Sequence, residues 1–506
     1  MNQIPKITLC IIVKNEEKYL RECLESVKDI ADEIVLADTG STDNTVDIAR
    51  EFNAEIHHFK WIDDFSAARN FALGKCTGSW ILYLDADERL SGNSLNELKN
   101  IAGREELLGC RCLVKSVNES NGKPNFMMYT RLFRNSPNLK FTGKVHEQID
   151  ESLIANGYKI EDTAIEIIHI GYNIPGKALE QKAKRNLKLL IQEFEKNKSS
   201  YNAWQIANTY SVLEDHERAN QYYQLAVKDE DLNKSYKAFA FMNLAAFEFK
   251  KHNLNQAAEY LGKGLANDPS GPLLNLLASE IFYRLNQKDN SLSYCKKALY
   301  ENKKILRSEN KSVFAVGTSN SLIISKGIYF SILSSDKRSL EYFLNELKKE
   351  NPVPYNLISK LFENKELSVS EIDQISDLFN GDNLEMILLL LEKYIYKKSS
   401  LKILKKRYDS FKTNSKFLKT FGLIHMEMNS LNEAEKFFTD SLTLEEKDLS
   451  SVFFLVSLYV QDNRFDKIHP LLTMAEDQFG NIPEFKSGLK KIKEKLNASL
   501  RNSGVK

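Results

Sequence analysis

The chain has 506 residues, which is too long for one ordinary hydrophobic core, so we expect two or three domains. Its 70 basic and 69 acidic side chains nearly cancel, so no overall field would attract nucleic acid or anionic lipid. No segment approaches the roughly 20 apolar residues of a membrane helix, and none resembles a secretory signal. The six cysteines lack metal-ligand spacing and indicate buried, reduced thiols. We therefore expect a cytoplasmic protein without an integral membrane segment.

Residues 1–176 alternate short apolar runs with amphipathic helical stretches. The predicted strands are Ile7–Val13, Glu33–Ala37, Glu55–Phe59 and Trp80–Leu84, each followed by a polar segment or a helix. This alternation predicts an α/β domain, Rossmann-like, with a mostly parallel sheet covered by helices. In such sheets, ligands bind at the carboxyl ends of the strands. A hairpin around Asn121–Pro124 and a last strand at Ala164–Ile170 complete the predicted domain.

The remaining sequence is helical and repeats a pattern of small residues. Counting from Ser200, small or aromatic residues recur at fixed offsets, at Ala207, Tyr210, Ala219, Tyr223 and Ala226. Similar units begin at Ala238 and Ser415, and the pattern resembles the tetratricopeptide repeat of about 34 residues. A generic helical bundle is the alternative. We expect a linking helix at 177–199, repeats at 200–303, an α-solenoid-like helical region at 304–412, and repeat-like units at 413–500.

The segment Asp85–Ala86–Asp87 follows the buried strand that ends near Leu84. If the chain stays extended there, side chains two residues apart project the same way, so Asp85 and Asp87 would face one ligand. Paired carboxylates suit Mg²⁺ or Mn²⁺ bridging two phosphates. The same pattern at Asp229–Asp231 follows no strand, so position distinguishes the first pair as a candidate site.

Polar residues also follow the first two predicted strands. Asn15 and Glu16 come after the first strand, and Asp38 and Asp43 come after the second. Ser41, Thr42 or Asp43 could cap the next helix, which explains one of them but not all. Asp38 could accept hydrogen bonds from a base or a ribose.

Arg69 lies near the start of a predicted helix, within reach of the fourth strand's end. Its guanidinium could bind a diphosphate with two hydrogen bonds, whereas the alternative is a surface salt bridge with Asp63 or Asp64. Two histidines, His146 and His169, are candidate metal ligands, although a lone histidine on an apolar strand is often a satisfied core residue.

Four motifs in order carry a resemblance to glycosyltransferase family two, which has the nucleotide-binding GT-A fold. They are Ile11–Glu16, Ala37–Thr45, Ala67–Asn70 and Leu84–Glu88. The segment Gly143–Glu147, followed by repeats, is similar to the branch with C-terminal tetratricopeptide domains. That branch includes bacterial transferases that glycosylate bacteriocin peptides or flagellin.

The resemblance implies a nucleotide-sugar donor, with a UDP-sugar expected, and a metal ion that is Mn²⁺ or Mg²⁺. It implies that Asp38 contacts the nucleobase and that Asn15, Glu16 and Asp43 surround the nucleoside. It also implies that Arg69 faces the diphosphate, that Asp85 lies near the ribose or sugar, and that Asp87 binds the metal. The family inverts the anomeric centre in a single displacement. An obvious Glu-Asp or Asp-Asp base motif is absent after the hairpin, and Glu147 is the candidate base.

The expected function is transfer of a sugar to a protein or peptide acceptor that the repeats hold. The alternative is a lipopolysaccharide-core or cell-surface polysaccharide glycosyltransferase, for which a basic amphipathic membrane-facing helix would be the mark. A third possibility is a repeat scaffold with an inactive transferase domain, and the intact Asp85 and Asp87 speak against it. A homodimer is compatible with the sequence.

Overall fold

The computed structural model describes residues 6–117, 124–170, 176–228, 230, 232–307, 314–362, 366–444, 449–479, 486–491 and 493–494. The chain divides into two compact units, residues 1–319 and 320–506. The first unit contains the α/β domain together with the first helical repeats. The finer domain boundaries drawn from the sequence stay predictions.

The α/β part of the first unit is one mixed sheet with helices on both faces. Its strands are β1 (Ile7–Val13), β2 (Glu33–Asp38), β3 (Glu55–His58), β4 (Trp80–Tyr83), β5 (Glu88–Leu90), β6 (Leu108–Val117), β7 (Pro124–Arg134), β8 (Lys159–His169) and β9 (Phe314–Val316). Its helices are α1 (Leu20–Val27), α2 (Thr45–Glu51), α3 (Phe65–Leu73), α4 (Leu95–Ala102) and α5 (Asp150–Ala155). Among the described residues the strand order is β3-β2-β1-β4-β7-β6-β8-β5, with β9 paired to β7.

The pairing of the strands brings the segments that follow β1, β2 and β4 to one edge of the sheet. Strands β1, β2, β3 and β4 are parallel to one another, so the carboxyl ends of β1, β2 and β4 meet at one edge. Strand β7 runs antiparallel to both β4 and β6, and β8 runs parallel to β6. Helices α1, α2 and α4 bury their apolar faces on one side of the sheet, and α3 and α5 bury theirs on the other. The α/β architecture is therefore confirmed.

The first four predicted strands are confirmed within one residue at each end. Strand β8 begins at Lys159, five residues before the predicted start. The sequence did not mark its first half as a strand, because that half is polar and faces solvent on one side. Strand β5 was not predicted, since Glu88 and Arg89 are charged yet buried. The predicted hairpin is present as β6 and β7, and its turn at residues 121–123 lies outside the described residues.

The helices of the first unit pack as consecutive pairs. They are α6 (Gly176–Lys196), α7 (Ser200–Val212), α8 (His216–Ala226), α9 (Lys234–Lys250), α10 (Leu254–Asn267), α11 (Pro272–Arg284) and α12 (Lys288–Leu306). The small residues of the repeat pattern are buried between paired helices, as Ala207 and Ala219 show. A Cβ atom on Gly264 would lie 3.2 Å from the Leu274 side chain, so the close helix approach favours glycine there. The predicted helical repeats are confirmed as a fold.

The second unit is helical throughout the residues described for it. Its helices are α13 (Asn320–Ser334), α14 (Lys337–Glu350), α15 (Pro352–Leu361), α16 (Val369–Leu378), α17 (Leu384–Lys393), α18 (Lys397–Phe411), α19 (Ser415–Glu427), α20 (Leu431–Leu444), α21 (Leu449–Gln461) and α22 (Ile468–Phe479). Across the described part of both units, no helix is long and apolar enough to cross a membrane.

A glycine beneath a phenylalanine ring marks two helix pairs of this unit. Gly422 of α19 lies under Phe438 of α20, where a Cβ atom would be 2.6 Å from the ring. Gly327 of α13 lies under Phe343 of α14 in the same way, and the sequence separation is the same in both pairs. Helices α13 and α14 therefore follow the repeat pattern, although they lie in the region for which the sequence indicated only general helical periodicity.

Strand β9 joins the helices of the first unit to the mixed sheet. It pairs antiparallel with β7, and Ala315 lies opposite Phe126. The Phe314 ring lies 5.5 Å from Trp204 and 4.9 Å from Phe239, which are residues of α7 and α9. The region 304–412 was predicted to be helical, and this three-residue strand is too short to show periodicity. The sheet and the repeats therefore share one core.

We predict that Phe314→Ala lowers the free energy of unfolding of the first unit by about 3–5 kcal/mol, because it leaves a cavity in this shared core. Urea unfolding of the full chain measures the change. Tyr300→Ala is the control, since Tyr300 is 62% exposed on α12, and its cost should stay within about 0.5 kcal/mol. Equal losses for the two variants would contradict a shared core.

Candidate active site

The loops after β1 and β2 interlock at the carboxyl edge of the sheet. The Asn15 side-chain oxygen accepts a hydrogen bond from the Thr42 N–H at 2.7 Å, and the Asn15 N–H donates to the Ser41 hydroxyl at 3.0 Å. Asn15 has φ of +56°, a left-handed conformation that asparagine tolerates better than most residues. The Glu16 N–H donates to the Thr45 hydroxyl at 2.7 Å. The two loops are thus held together at the carboxyl edge of the sheet, and we call the space in front of them the cleft.

Asp38 and Asp43 shape the second of these loops. Asp38 is 3% exposed, and its carboxylate accepts from the Ser41 N–H at 3.0 Å and lies 3.2 Å from His58 Nδ1. Asp43 accepts from the Thr45 N–H at 3.0 Å, so among the three predicted capping residues it is Asp43 that bonds the first turn of α2. Burial alone would raise the pKa of Asp43, but these hydrogen bonds lower it.

The chain turns immediately after β4. The strand ends at Tyr83, and the Glu88 N–H donates to the Asp85 carbonyl oxygen at 2.9 Å, which closes a turn over Asp85–Glu88. The expectation that this segment stays extended was therefore wrong. Because the backbone turns, Asp85 and Asp87 point to different partners.

Asp85 lies between two buried arginines. Its carboxylate pairs with Arg69 and lies 3.5 Å from Arg131 Nη2, and Arg131 pairs with Glu88 at 2.6 Å. Arg69 also pairs with Glu147. Burial would raise the pKa of Asp85, but the two guanidinium groups hold it well below its usual range. We call these five residues the arginine–carboxylate network.

Arg69 is a buried residue rather than a surface one. It is 2% exposed, and Asp64 instead accepts from the Ala67 N–H at 2.9 Å and caps α3. The alternative of a surface salt bridge with Asp63 or Asp64 was therefore wrong. Arg69 Nη1 is buried and has no hydrogen-bond partner among the described residues.

The sequence did not single out Arg131, Glu88 or Tyr83. The Arg131 and Arg69 guanidinium groups lie 4.5 Å and 4.8 Å from the centre of the Tyr83 ring, within cation–π distance. Burial raises the pKa of Tyr83, although both arginines oppose that. Arg131 belongs to a polar cluster after an apolar run, which was a visible signal, but only the β4–β7 pairing shows that it faces Asp85.

Asp87 lies beside His169 at the end of β8. Asp87 Oδ2 is 3.2 Å from His169 Nε2, and each side chain is 18% exposed. His169 Nδ1 lies 3.0 Å from the Ser116 hydroxyl, which orients the ring. Burial lowers the pKa of His169, but its contact with Asp87 outweighs this and raises it. Asp87 and His169 therefore present a carboxylate oxygen and an imidazole nitrogen to the same space.

The other two predicted metal ligands lie apart from this pair. Asp85 is bound to arginines, and His146 lies on the loop Gly143–Glu147, near Glu147 and Lys182. Within the described ranges, no three His, Cys, Asp or Glu side chains are grouped so that they could hold a metal ion. A metal ion at this edge would be coordinated by Asp87, His169 and the bound substrate.

Glu16 adds a further carboxylate to the cleft. Burial and the nearby Asp87 raise its pKa from 4.5 to about 7. Glu147 is fixed on the opposite side, where its carboxylate pairs with Arg69 and is 12% exposed. Its loop is held by the Phe65 N–H, which donates to the Lys144 carbonyl at 3.0 Å.

Residues 8–159 match the family model described as Glycosyl transferase family 2. The N-terminal part of the chain is therefore similar to glycosyltransferase family 2 domains. Over 150 residues the chain is 43% identical to a TPR repeat-containing protein of Synechococcus elongatus, covering 30% of this chain and 37% of that protein. Over 190 residues it is 36% identical to the SPbeta prophage-derived glycosyltransferase SunS of Bacillus subtilis, covering 37% and 44%.

Among solved structures, the chain is similar to S. aureus TarS 1-349 in complex with UDP-GlcNAc, at 14% identity and a TM-score of 0.29, covering 60% of this chain and 93% of that one. A likeness this low assigns no ligand. The chain spans less than half of the length of the two curated relatives named above. The activity, substrates and partners of the whole protein are therefore proposals.

We predict that Arg131→Met lowers the free energy of unfolding by about 3–5 kcal/mol, because it leaves Glu88 and Asp85 buried without their cation. Urea unfolding measures the loss. Arg111→Met is the matched control on the same sheet, since Arg111 pairs with Asp162 at 2.6 Å near the surface and should cost about 0–1 kcal/mol. A loss below 1 kcal/mol for Arg131→Met would sink this account of the network.

Proposed function

We propose that this protein is a metal-dependent, inverting glycosyltransferase that moves a sugar from a nucleotide-sugar to a protein or peptide acceptor. The observation that carries the proposal is the turn after β4, where Asp87 meets His169 at the edge formed by β1, β2 and β4. The family 2 domain at residues 8–159 and the resemblance to a relative named as a glycosyltransferase support it.

The loops after β1 and β2 would bind the nucleoside, and a UDP-sugar is the first donor to test. Asp38 has hydrogen-bonding capacity left beyond its contacts with Ser41 and His58, because a carboxylate offers about four lone-pair sites. Asn15 and Asp43 hold the wall against which the ribose would lie, and Glu16 closes the cleft toward Asp87.

Asp87 and His169 would hold Mn²⁺ or Mg²⁺. The donor set fits, because a carboxylate oxygen and an imidazole nitrogen lie 3.2 Å apart and both are partly exposed. When bound, the metal supplies positive charge that stabilises the leaving diphosphate. Asp85 would contact the ribose or the sugar, since its arginine partners hold it beside the cleft.

Glu147 would act as the general base. Arg69 binds one of its oxygens, which fixes the carboxylate and leaves the other oxygen to take a proton. The acceptor atom attacks the anomeric carbon on the face opposite the diphosphate. The bond from that carbon to the phosphate oxygen breaks, its electron pair leaves with the diphosphate, and the acceptor proton passes to Glu147.

The helical repeats would hold the acceptor. They lie next to the loop of Glu147, because Val145 is buried in one core with Leu189, Leu190 and Trp204 of α6 and α7. Tyr201 of α7 hydrogen-bonds Gln148, the residue after Glu147. An extended peptide bound along the repeats would therefore have a short path to the base.

We predict that Asp87→Asn lowers Mn²⁺-stimulated hydrolysis of a UDP-sugar on the order of 100-fold, because the metal loses its charged oxygen ligand. Release of UDP, with and without Mn²⁺, measures the effect. Asp47→Asn is the control, because Asp47 is an exposed residue of α2 and its replacement should change nothing. Retained stimulation in Asp87→Asn would remove this residue from the metal role. If the unaltered protein neither hydrolyses nor transfers any nucleotide-sugar, the glycosyltransferase proposal fails.

We predict that residues 1–319 hydrolyse the donor as the full chain does, but transfer less sugar to protein. The compact first unit keeps the site and β9, whereas the repeats of residues 320–506 are lost. Whole-protein mass spectrometry of cell lysate treated with each version measures added hexose. Unchanged transfer would mean that residues 320–506 do not recruit the acceptor. Label found in lipopolysaccharide or polysaccharide instead of protein would favour the alternative function.

A further inference from the structure

Helix α6 lies against the loop Gly143–Glu147, which carries the proposed base. The Arg185 guanidinium lies 5.7 Å from the centre of the Phe65 ring, and the Phe65 N–H donates to the Lys144 carbonyl. The Lys144 N–H in turn donates to Glu193 at 3.0 Å. These contacts fix the side of the helix that faces the loop.

Lys182 lies on that same side of α6. Positions 182, 185, 189 and 193 are separated by three or four residues, so they line one face of a helix. Arg185 and Glu193 contact the loop region, and Leu189 is buried in one core with Val145. Lys182 is therefore one turn further toward the N-terminus of α6 on the face that packs on the catalytic domain.

The chain also tethers this end of α6 to the site. The Ile170 N–H donates to the Asp87 carbonyl at 2.9 Å, directly after β8 ends at His169. Helix α6 begins at Gly176, and six residues of chain span at most about 20 Å. The start of α6 therefore lies within about 20 Å of Ile170, the residue that is bonded to Asp87.

The charge of Lys182 is not used by the fold. Its side chain is exposed and forms no ion pair within the part of the chain that the structure describes. By contrast, Arg69 and Arg131 are each paired with two carboxylates. Burial and Asp87 raise the pKa of Glu16, and the Lys182 ammonium opposes that rise, so the two side chains interact through their charges.

We propose that Lys182 binds the β-phosphate of the nucleotide-sugar and stabilises the diphosphate as it leaves. This inference rests on the proposed function. As the bond between the anomeric carbon and the β-phosphate oxygen breaks, the electron pair stays on that oxygen, and the ammonium group donates a hydrogen bond to it. A cation is needed there because Asp85, Asp87 and Glu16 make the cleft acidic. The helical half of the first unit would thus contribute a catalytic residue.

The test compares UDP with UMP as probes of the full chain in the presence of Mn²⁺, by titration calorimetry. Because UMP lacks the β-phosphate, Lys182→Ala should weaken UDP binding about 10-fold and leave UMP binding nearly unchanged, while Lys182→Arg restores most of the loss. Lys184→Ala is the matched control, since Lys184 is an exposed residue of the same helix that pairs with Glu180 at 2.6 Å. It should bind both nucleotides as the unaltered protein does.

The other possible outcomes contradict either the role of Lys182 or the proposed function. Unchanged UDP binding in Lys182→Ala, equal losses for UDP and UMP, or an equal loss in Lys184→Ala would each overturn the role of Lys182. If the unaltered protein binds none of UDP, GDP, CDP, ADP or dTDP, the proposed function fails instead. If it binds one of the others, the same comparison uses that diphosphate and its monophosphate.

Discussion

Two buried guanidinium groups, Arg69 and Arg131, hold three carboxylates at the centre of the first unit. Asp85, Glu88 and Glu147 come from the turn after β4, from β5 and from the loop that precedes α5. Removing a charge from water costs several kcal/mol, and only close opposite charges offset that cost. The network therefore ties these elements to one geometry, because any displacement would leave a buried charge without its partner.

This network also sets the electrostatics of the cleft. Two positive charges face three negative ones, and Asp87 and Glu16 add to the excess of negative charge. An anionic diphosphate would be repelled by such a site unless cations accompany it. The proposed metal at Asp87 and His169 and the proposed ammonium group of Lys182 would add positive charge to that of the two arginines. Donor binding and cation binding are thus expected to depend on each other.

Much of the α/β architecture could be predicted because its strands are buried on both faces and read as apolar runs. The direction of Asp85 could not, since it depends on a turn whose hydrogen bond from Glu88 has no pattern in the sequence. The contact of Arg131 with Asp85 could not be predicted either, because the pairing of β4 with β7 brings the two residues together. The spacing of Gly327 and Phe343 was present in the sequence, but two residues alone are too few to mark a repeat. Local periodicity predicts elements, whereas long-range pairing decides what their side chains contact.

Strand β9 has a consequence for how such proteins can be recombined. Although the strand lies beyond α12, its three residues pair with the sheet that carries the candidate active site, and Phe314 packs among the aromatic side chains of α7 and α9. A chimera that exchanges all of the helices after α5 would remove a strand of this sheet along with them. The end of the first compact unit at residue 319 is therefore a better junction for exchanging helices, because it leaves this sheet and its packing intact.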